Sequence, residues 1–376
     1  MDKILCKQNI QASLQKEGLS QAALAKQLGV SAQAVTNWLK GVDFPRPEKL
    51  LKLAILLKLS FDQLVQQQEN TQPIIAFRKR AGTKTTETHI ENARAIGMLL
   101  KPLVPYLQGI HTLRPQLSNP SENYTHLQQA VSEARSKLGL SDQTVLDYHH
   151  LIGQFKEVGA VLVPVLWGEK KQHQNAMHIH LPEEKVTFIF LNLDTSIEDF
   201  KFWMAHELAH VYTPALVGTE EGEDFADAFA GVLLFPNACA QIAYQDVVRA
   251  RTTHGKITAL QKHATHHSIS FFTVYKQVES YVRNLQLPSI GIDERSIHIV
   301  RNQVSKQLPL VSEALFSPLP PPPSNYIASV DNGFQSDFFR ALRVMIRERD
   351  MGAGYVKQIL NISLADATAL HLELIS

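Results

Sequence analysis

Leu24, Leu28, Val30, Val35 and Trp38 recur at the spacing of two helices that turn apolar faces toward each other. Ser20 and Ser31 sit where each helix would be capped, and Gly29 supplies the turn between them. Residues 14–41 are therefore predicted as helix, tight turn, helix, with further helix after Pro45 and Pro47, from Leu50 to Leu64. A different pattern runs from Val186 to Asn192, where β-branched and aromatic residues read as a strand. Polar, cap-forming residues from Asp194 to Asp199 then lead into a helix whose Phe200, Phe202, Trp203, Met204 and Leu208 imply burial. From Glu223 a helix rich in Ala, Leu and Phe runs until Pro236 ends it. Residues 96–155, Ile257 to Leu285 and Phe338 to Leu374 also read as mostly helical.

The first helical pair leaves Gln33, Ala34, Thr36, Asn37 and Lys40 outward on its second helix, a set suited to base edges and phosphates in a major groove. Gln21, opening the first helix, is placed to contact the DNA backbone. Charge points the same way. Residues 1–80 hold 12 Lys and Arg against 6 Asp and Glu, whereas the remainder holds 25 against 30, so a whole-chain charge of +1 hides a basic head and an acidic body.

Within the buried helix lies His206-Glu207-Leu208-Ala209-His210. Residues four apart share a helix face, so both imidazoles can reach one Zn²⁺ while Glu207 stands beside it as a general base for peptide hydrolysis. A strand leading into such a helix is also the arrangement in which an edge strand pairs with substrate backbone. The third ligand is expected from the next helix. Glu223 and Asp227 stand four apart, with Glu223 as ligand in preference to Glu220 or Glu221 and Asp227 orienting an imidazole through its other ring nitrogen. An acidic helix start favoured by the macrodipole accounts for Glu220, Glu221 and Asp224, but poorly for Asp227. Tyr212 is near enough in sequence to be considered as an oxyanion donor.

These residues resemble the ImmA/IrrE group of metallopeptidases: His-Glu-x-x-His, then Glu-x-x-Ala-Asp-x-Phe-Ala-x-x-Leu-Leu-x-Pro. Ala209 and Asp227 depart from the Gly and Asn common there, and neither departure argues against activity. The likeness extends upstream through Ala134-Arg135, Leu138-Gly139-Leu140 and a strand at Gly159 to Val163, covering about residues 121–285. It implies zinc on His206, His210 and Glu223, Glu207 as base, and regulated cleavage of a repressor or partner protein. Residues 14–64 resemble the XRE helix-turn-helix family, implying an operator in double-stranded DNA and, by the usual geometry, a homodimer.

The expected fold is multidomain and mainly α. It comprises an all-α helix-turn-helix domain (1–69), a helical linker (70–120), an α+β zincin-like, gluzincin-type peptidase domain (121–285), a Pro-rich connector (286–325) and a small all-α C-terminal domain (326–376). In the linker, Phe77-Arg78-Lys79-Arg80 reads either as a DNA-proximal segment or as a solvated turn, and Gln66-Gln67-Gln68-Glu69-Asn70 as part of a polar stretch. Ser317 to Ser324 reads as an extended spacer. Val356 to Ala367 has a helix-turn-helix look and is taken as a packing or dimerisation unit. His263, His266 and His267 lack a carboxylate or Cys at ligand spacing and read as surface or polar-face histidines. Cys6 and Cys239, far apart, suit a reducing cytoplasm better than a disulfide framework. Leu50 to Phe61 is too short and too charged for a signal peptide, and no membrane span is expected. The reading is a cytoplasmic DNA-binding regulator carrying a zinc metallopeptidase. Its competitor is a non-proteolytic regulator or antitoxin whose peptidase fold serves as a sensor.

Overall fold

The computed structural model describes residues 3–40, 43–67, 72–79, 86–108, 116–117, 119–167, 174–305 and 308–376. Gly41, Gln68, Glu69, Asn70 and Arg80, which the sequence reading included, lie outside them. The chain divides into two units, 1–71 and 72–376.

The first unit contains β1 (Lys3–Leu5), α1 (Lys7–Lys16), α2 (Gln21–Leu28), α3 (Ala32–Leu39), α4 (Pro47–Leu57), α5 (Phe61–Leu64) and β2 (Val65–Gln67). Local chemistry sets these boundaries. The Ser20 and Ser31 hydroxyls accept from Ala23 N and Ala34 N, and Gly29 ends α2 at φ 65°. Leu24, Leu28, Val35 and Trp38 are buried together with Ile10, Leu14, Leu53, Leu57 and Leu64. The unit is not all-α as expected, because β1 and β2 pair antiparallel, Leu5 opposite Val65. α1 was also missed, having only Ile10, Ser13 and Leu14 buried.

The second unit begins with β3 (Ile74–Lys79), α6 (Glu87–Leu100), α7 (Tyr124–Lys137), α8 (Tyr148–Glu157), β4 (Ala160–Val165), β5 (Gln174–Leu181), β6 (Val186–Asn192), α9 (Ile197–Tyr212) and α10 (Glu220–Leu234). It continues with α11 (Asn237–Arg249), α12 (Thr253–His267), α13 (Phe271–Asn284), α14 (Glu294–Ser305), α15 (Val311–Leu315), α16 (Pro323–Ala328), α17 (Phe338–Arg349), α18 (Ala353–Leu360) and α19 (Leu364–Ile375). The sheet order is β3-β5-β6-β4, with β4 and β6 parallel and the other pairs antiparallel. Every residue of β4 and β6 is buried, as suits strands covered on both faces.

Three boundaries from the sequence give way here. The linker carries a sheet strand, because β3 pairs with β5. The Pro-rich connector and the C-terminal helices are not separate bodies, since their apolar residues share one core with the sheet. Tyr326 and Ser336 donate to the carbonyls of Pro164 and Leu162, closing the outer edge of β4, and Trp167 Nε1 donates to Leu360 O at 3.0 Å. The expected spacer at 317–324 in part begins α16, at Pro323. The strand before the histidine helix is not an edge either, because β6 lies between β5 and β4.

Among the described residues no single helix is long and apolar enough to cross a membrane. α10 and α11 pass such a test only as a pair, bent by 68°, and much of each lies in the core.

Candidate metal centre and DNA-binding surface

α9 is nearly enclosed: from Trp203 to Tyr212 every residue is buried, the polar His206, Glu207 and His210 included. Burying three ionisable groups on one helix requires partners, and α10 supplies two. It starts at the Thr219 cap, whose hydroxyl accepts from Gly222 N, and this sets Glu223 and Asp227 against the histidine face. His206 Nε2 and His210 Nε2 lie 3.1 Å apart. They stand 3.3 and 3.2 Å from the two carboxylate oxygens of Glu223. Asp227 Oδ1 lies 2.8 Å from His206 Nδ1, where it accepts that ring's proton and turns Nε2 toward Glu223 and His210.

The donor set fits zinc. Tetrahedral N and O ligands at about 2.0–2.1 Å from Zn²⁺ lie about 3.3–3.4 Å from one another, close to the separations found. Two imidazoles and a carboxylate whose ligand atoms converge in this way are a donor set able to hold a metal ion. His210 Nδ1 has no hydrogen-bond partner among the described residues, so this second imidazole lacks the support that Asp227 gives the first. Burial alone would raise the Glu223 carboxyl, yet His206 and His210 beside it hold it far below the usual range.

Glu207 is 1% exposed and faces a residue that sequence reasoning missed. His178 on β5 places Nδ1 3.1 Å from Glu207 Oε2. Burial would raise the Glu207 carboxyl, but the bond to His178 and the nearby His210 and His206 rings keep it below its ordinary value. The only hint in the sequence was strand alternation: Met177-His178-Ile179-His180 puts both histidines on one face. Tyr212 does not join the site. Two residues past His210 it points about 200° away around the helix, and its ring packs edge-on against Phe229 at 6.0 Å.

A second possible ligand group lies elsewhere in the second unit. Asp147, His149 and His150 come together at the exposed start of α8, where His150 Nδ1 accepts from Asp147 N as a helix cap. The surface reading of 263–267 holds only in part. His263 does meet a carboxylate, Asp246, at 3.0 Å, and His267 is buried against Phe235 and pushed down to about 4 by desolvation. Cys6 and Cys239 are free thiols.

In the first unit, Gln21, Gln33 and Lys40 are exposed, while Ala34, Thr36 and Asn37 are half-buried. Gln33 Nε2 donates to Asn37 Oδ1 at 2.8 Å, aligning the two amides along α3, and Thr36 donates back to Ala32 O. α2 and α3 with the Gly29 turn have the helix-turn-helix arrangement. A family model described as Helix-turn-helix matches residues 10–64. Residues 10–64 of the N-terminal unit therefore form a helix-turn-helix domain, a fold that binds double-stranded DNA. No curated protein and no solved structure matches the chain.

Proposed function

We propose that the chain is a DNA-binding regulator whose second unit, of zincin-like and gluzincin type, is a zinc-dependent peptidase. The observation that carries this reading is the convergence of His206 Nε2, His210 Nε2 and Glu223 within 3.3 Å of one another, with Glu207 on the same helix turn. When bound, zinc supplies Lewis-acid polarisation of a peptide carbonyl and acidifies water. Glu207 takes the proton from the attacking water and delivers it to the leaving amine. Asp227 keeps His206 in the ligating tautomer. The substrate is a protein, a repressor or regulatory partner held near the operator, or the chain itself. Gln33, Asn37 and Ala34 read base edges, Gln21, Thr36 and Lys40 meet the DNA backbone, and a two-fold operator engages a homodimer.

A second reading has its own support. Glu207 is enclosed and bonded to His178, so the group that would act as base is itself shut away from bulk water, as in a sensor that cleaves nothing. Comparing new protein N-termini in cells carrying wild type or Glu207→Gln separates the two. A protein shortened only with wild type supports the peptidase. Identical termini together with normal regulation by Glu207→Gln reject it.

A further inference from the structure

β5 carries His178 to Glu207 and is therefore the strand along which an extended ligand would reach the site. Its outer edge is occupied by the chain's own residues 74–79. β3 pairs antiparallel with β5, Ala76 opposite His178 and Ile74 opposite His180. Directly opposed residues share a face, so Ala76 lies beside the histidine that holds the general base, and it is 4% exposed.

Two glycines pack against this strand and the residue before it. On one side is Gly97 of α6, where a Cβ would come within 2.6 Å of the Pro73 ring, and Pro73 is buried there. On the other is Gly218, in the loop joining the two ligand-bearing helices, with φ +79°. A Cβ at Gly218 would stand 2.8 Å from Ile75 O. The loop that links His210 to Glu223 thus lies directly against the β3 backbone at Ile75. An extended peptide at this place would need main-chain pairing with β5, a small residue opposite His178 and no side chain at the flanking positions, and β3 with Ala76, Gly97 and Gly218 supplies all three. The other edge of the sheet, at β4, is closed differently, by the Tyr326 and Ser336 side chains.

We propose that the β5 edge is a peptide-strand-binding site whose ligand is an extended segment with a small residue opposite His178, and that β3 is its built-in occupant. While β3 is seated, the Glu207 side of the metal centre is shut. Displacement by a substrate strand opens it. The link to hydrolysis rests on the peptidase reading, but the strand site does not.

The test uses the full chain and a fluorescent synthetic peptide with the sequence of residues 72–81. Ala76→Asp buries a carboxylate at a position that is 4% exposed and should unseat β3, raising peptide capture at least tenfold over wild type. Ile74→Cys with His180→Cys, directly opposed across the pair, permits a disulfide that locks β3 in place. The oxidised form should capture peptide at least tenfold less well than the same protein reduced. A folded Ala76→Asp chain that captures no more than wild type would overturn the proposal. Equal capture by oxidised and reduced protein would overturn it too, and decides the matter alone if Ala76→Asp does not fold. Adding zinc separates the two ideas: redox-dependent capture without cleavage keeps the strand site and removes the peptidase.

Discussion

Gly222→Ala is expected to weaken the protein and its metal centre, although alanine is the better helix former. Gly222 lies in the first turn of α10, next to Glu223. On propensity alone the substitution stabilises by about 1 kcal/mol. A Cβ there would stand 2.0 Å from Leu216 O, 2.8 Å from Leu216 C and 3.0 Å from Leu216 Cβ. Ordinary contacts begin near 3.4 Å, so backbone must move by roughly 1.4 Å, and no flexible side chain can absorb the shift. Overpacking costs about 1–3 kcal/mol where neighbours can yield. With backbone as the neighbour the upper end applies, leaving a net loss of about 2 kcal/mol. The displaced turn carries Glu223 away from His206 and His210, and zinc affinity should fall on the order of tenfold, the scale for losing a supporting partner. Gly153→Ala in α8 is the matched control: its Cβ meets nothing within 4 Å, so a gain approaching about 1 kcal/mol is expected. Urea unfolding followed by Trp167 and Trp203 fluorescence, with zinc competition against a chelator, measures both. Equal stability and zinc affinity for Gly222→Ala and wild type would refute the steric argument.

Other consequences are as direct. Lys201 is fully buried, donates to His267 O at 2.7 Å and is pushed down to about 8 by burial, which Asp147 only partly offsets. Its folded value lies below the unfolded 10.5, so the unfolded chain holds more protons between pH 8 and 10.5, and the cost of the buried charge is shed as pH rises through that window. The stability of wild type relative to Lys201→Met should therefore rise by about 2 kcal/mol between pH 7.5 and 9.5 in urea titrations; a flat difference would place the ammonium in water. His267 behaves oppositely to a surface histidine. Pushed down to about 4, it should cost wild type up to about 3 kcal/mol relative to His267→Phe as pH falls from 6.5 to 4, and no divergence would contradict its burial. On DNA, Gln33→Ala with Asn37→Ala should lower affinity tenfold or more for duplexes enriched by wild type while sparing random duplex. Lys40→Ala should weaken both and reduce the salt slope by about one.

What could be read from the chain was local. His206, Glu207 and His210 sit within one helix turn and a half, and Ser20, Gly29 and Ser31 punctuate the first unit, so spacing alone placed them. Glu223 and Asp227 followed from helical periodicity one element later. Non-local pairing was not readable in this way. Ile74 to Lys79 is six residues ending in basic side chains within a polar stretch, and nothing in it announces a partner at 174–181. His178 has meaning only once β5 lies beside α9. The Pro-rich segment looked like a boundary because proline signals an end of regular structure, whereas it is tied to the core by Val311 and Phe316 before it and by Tyr326 and Ser336 after it.

The most direct test of the metal centre is zinc content with X-ray absorption at the zinc edge, on the full chain and on His210→Ala. A stoichiometric ion held by nitrogen and oxygen at about 2.0–2.1 Å, lost or re-coordinated in His210→Ala, is the expected result. Absence of zinc from wild type, or an unchanged spectrum in His210→Ala, would contradict the account.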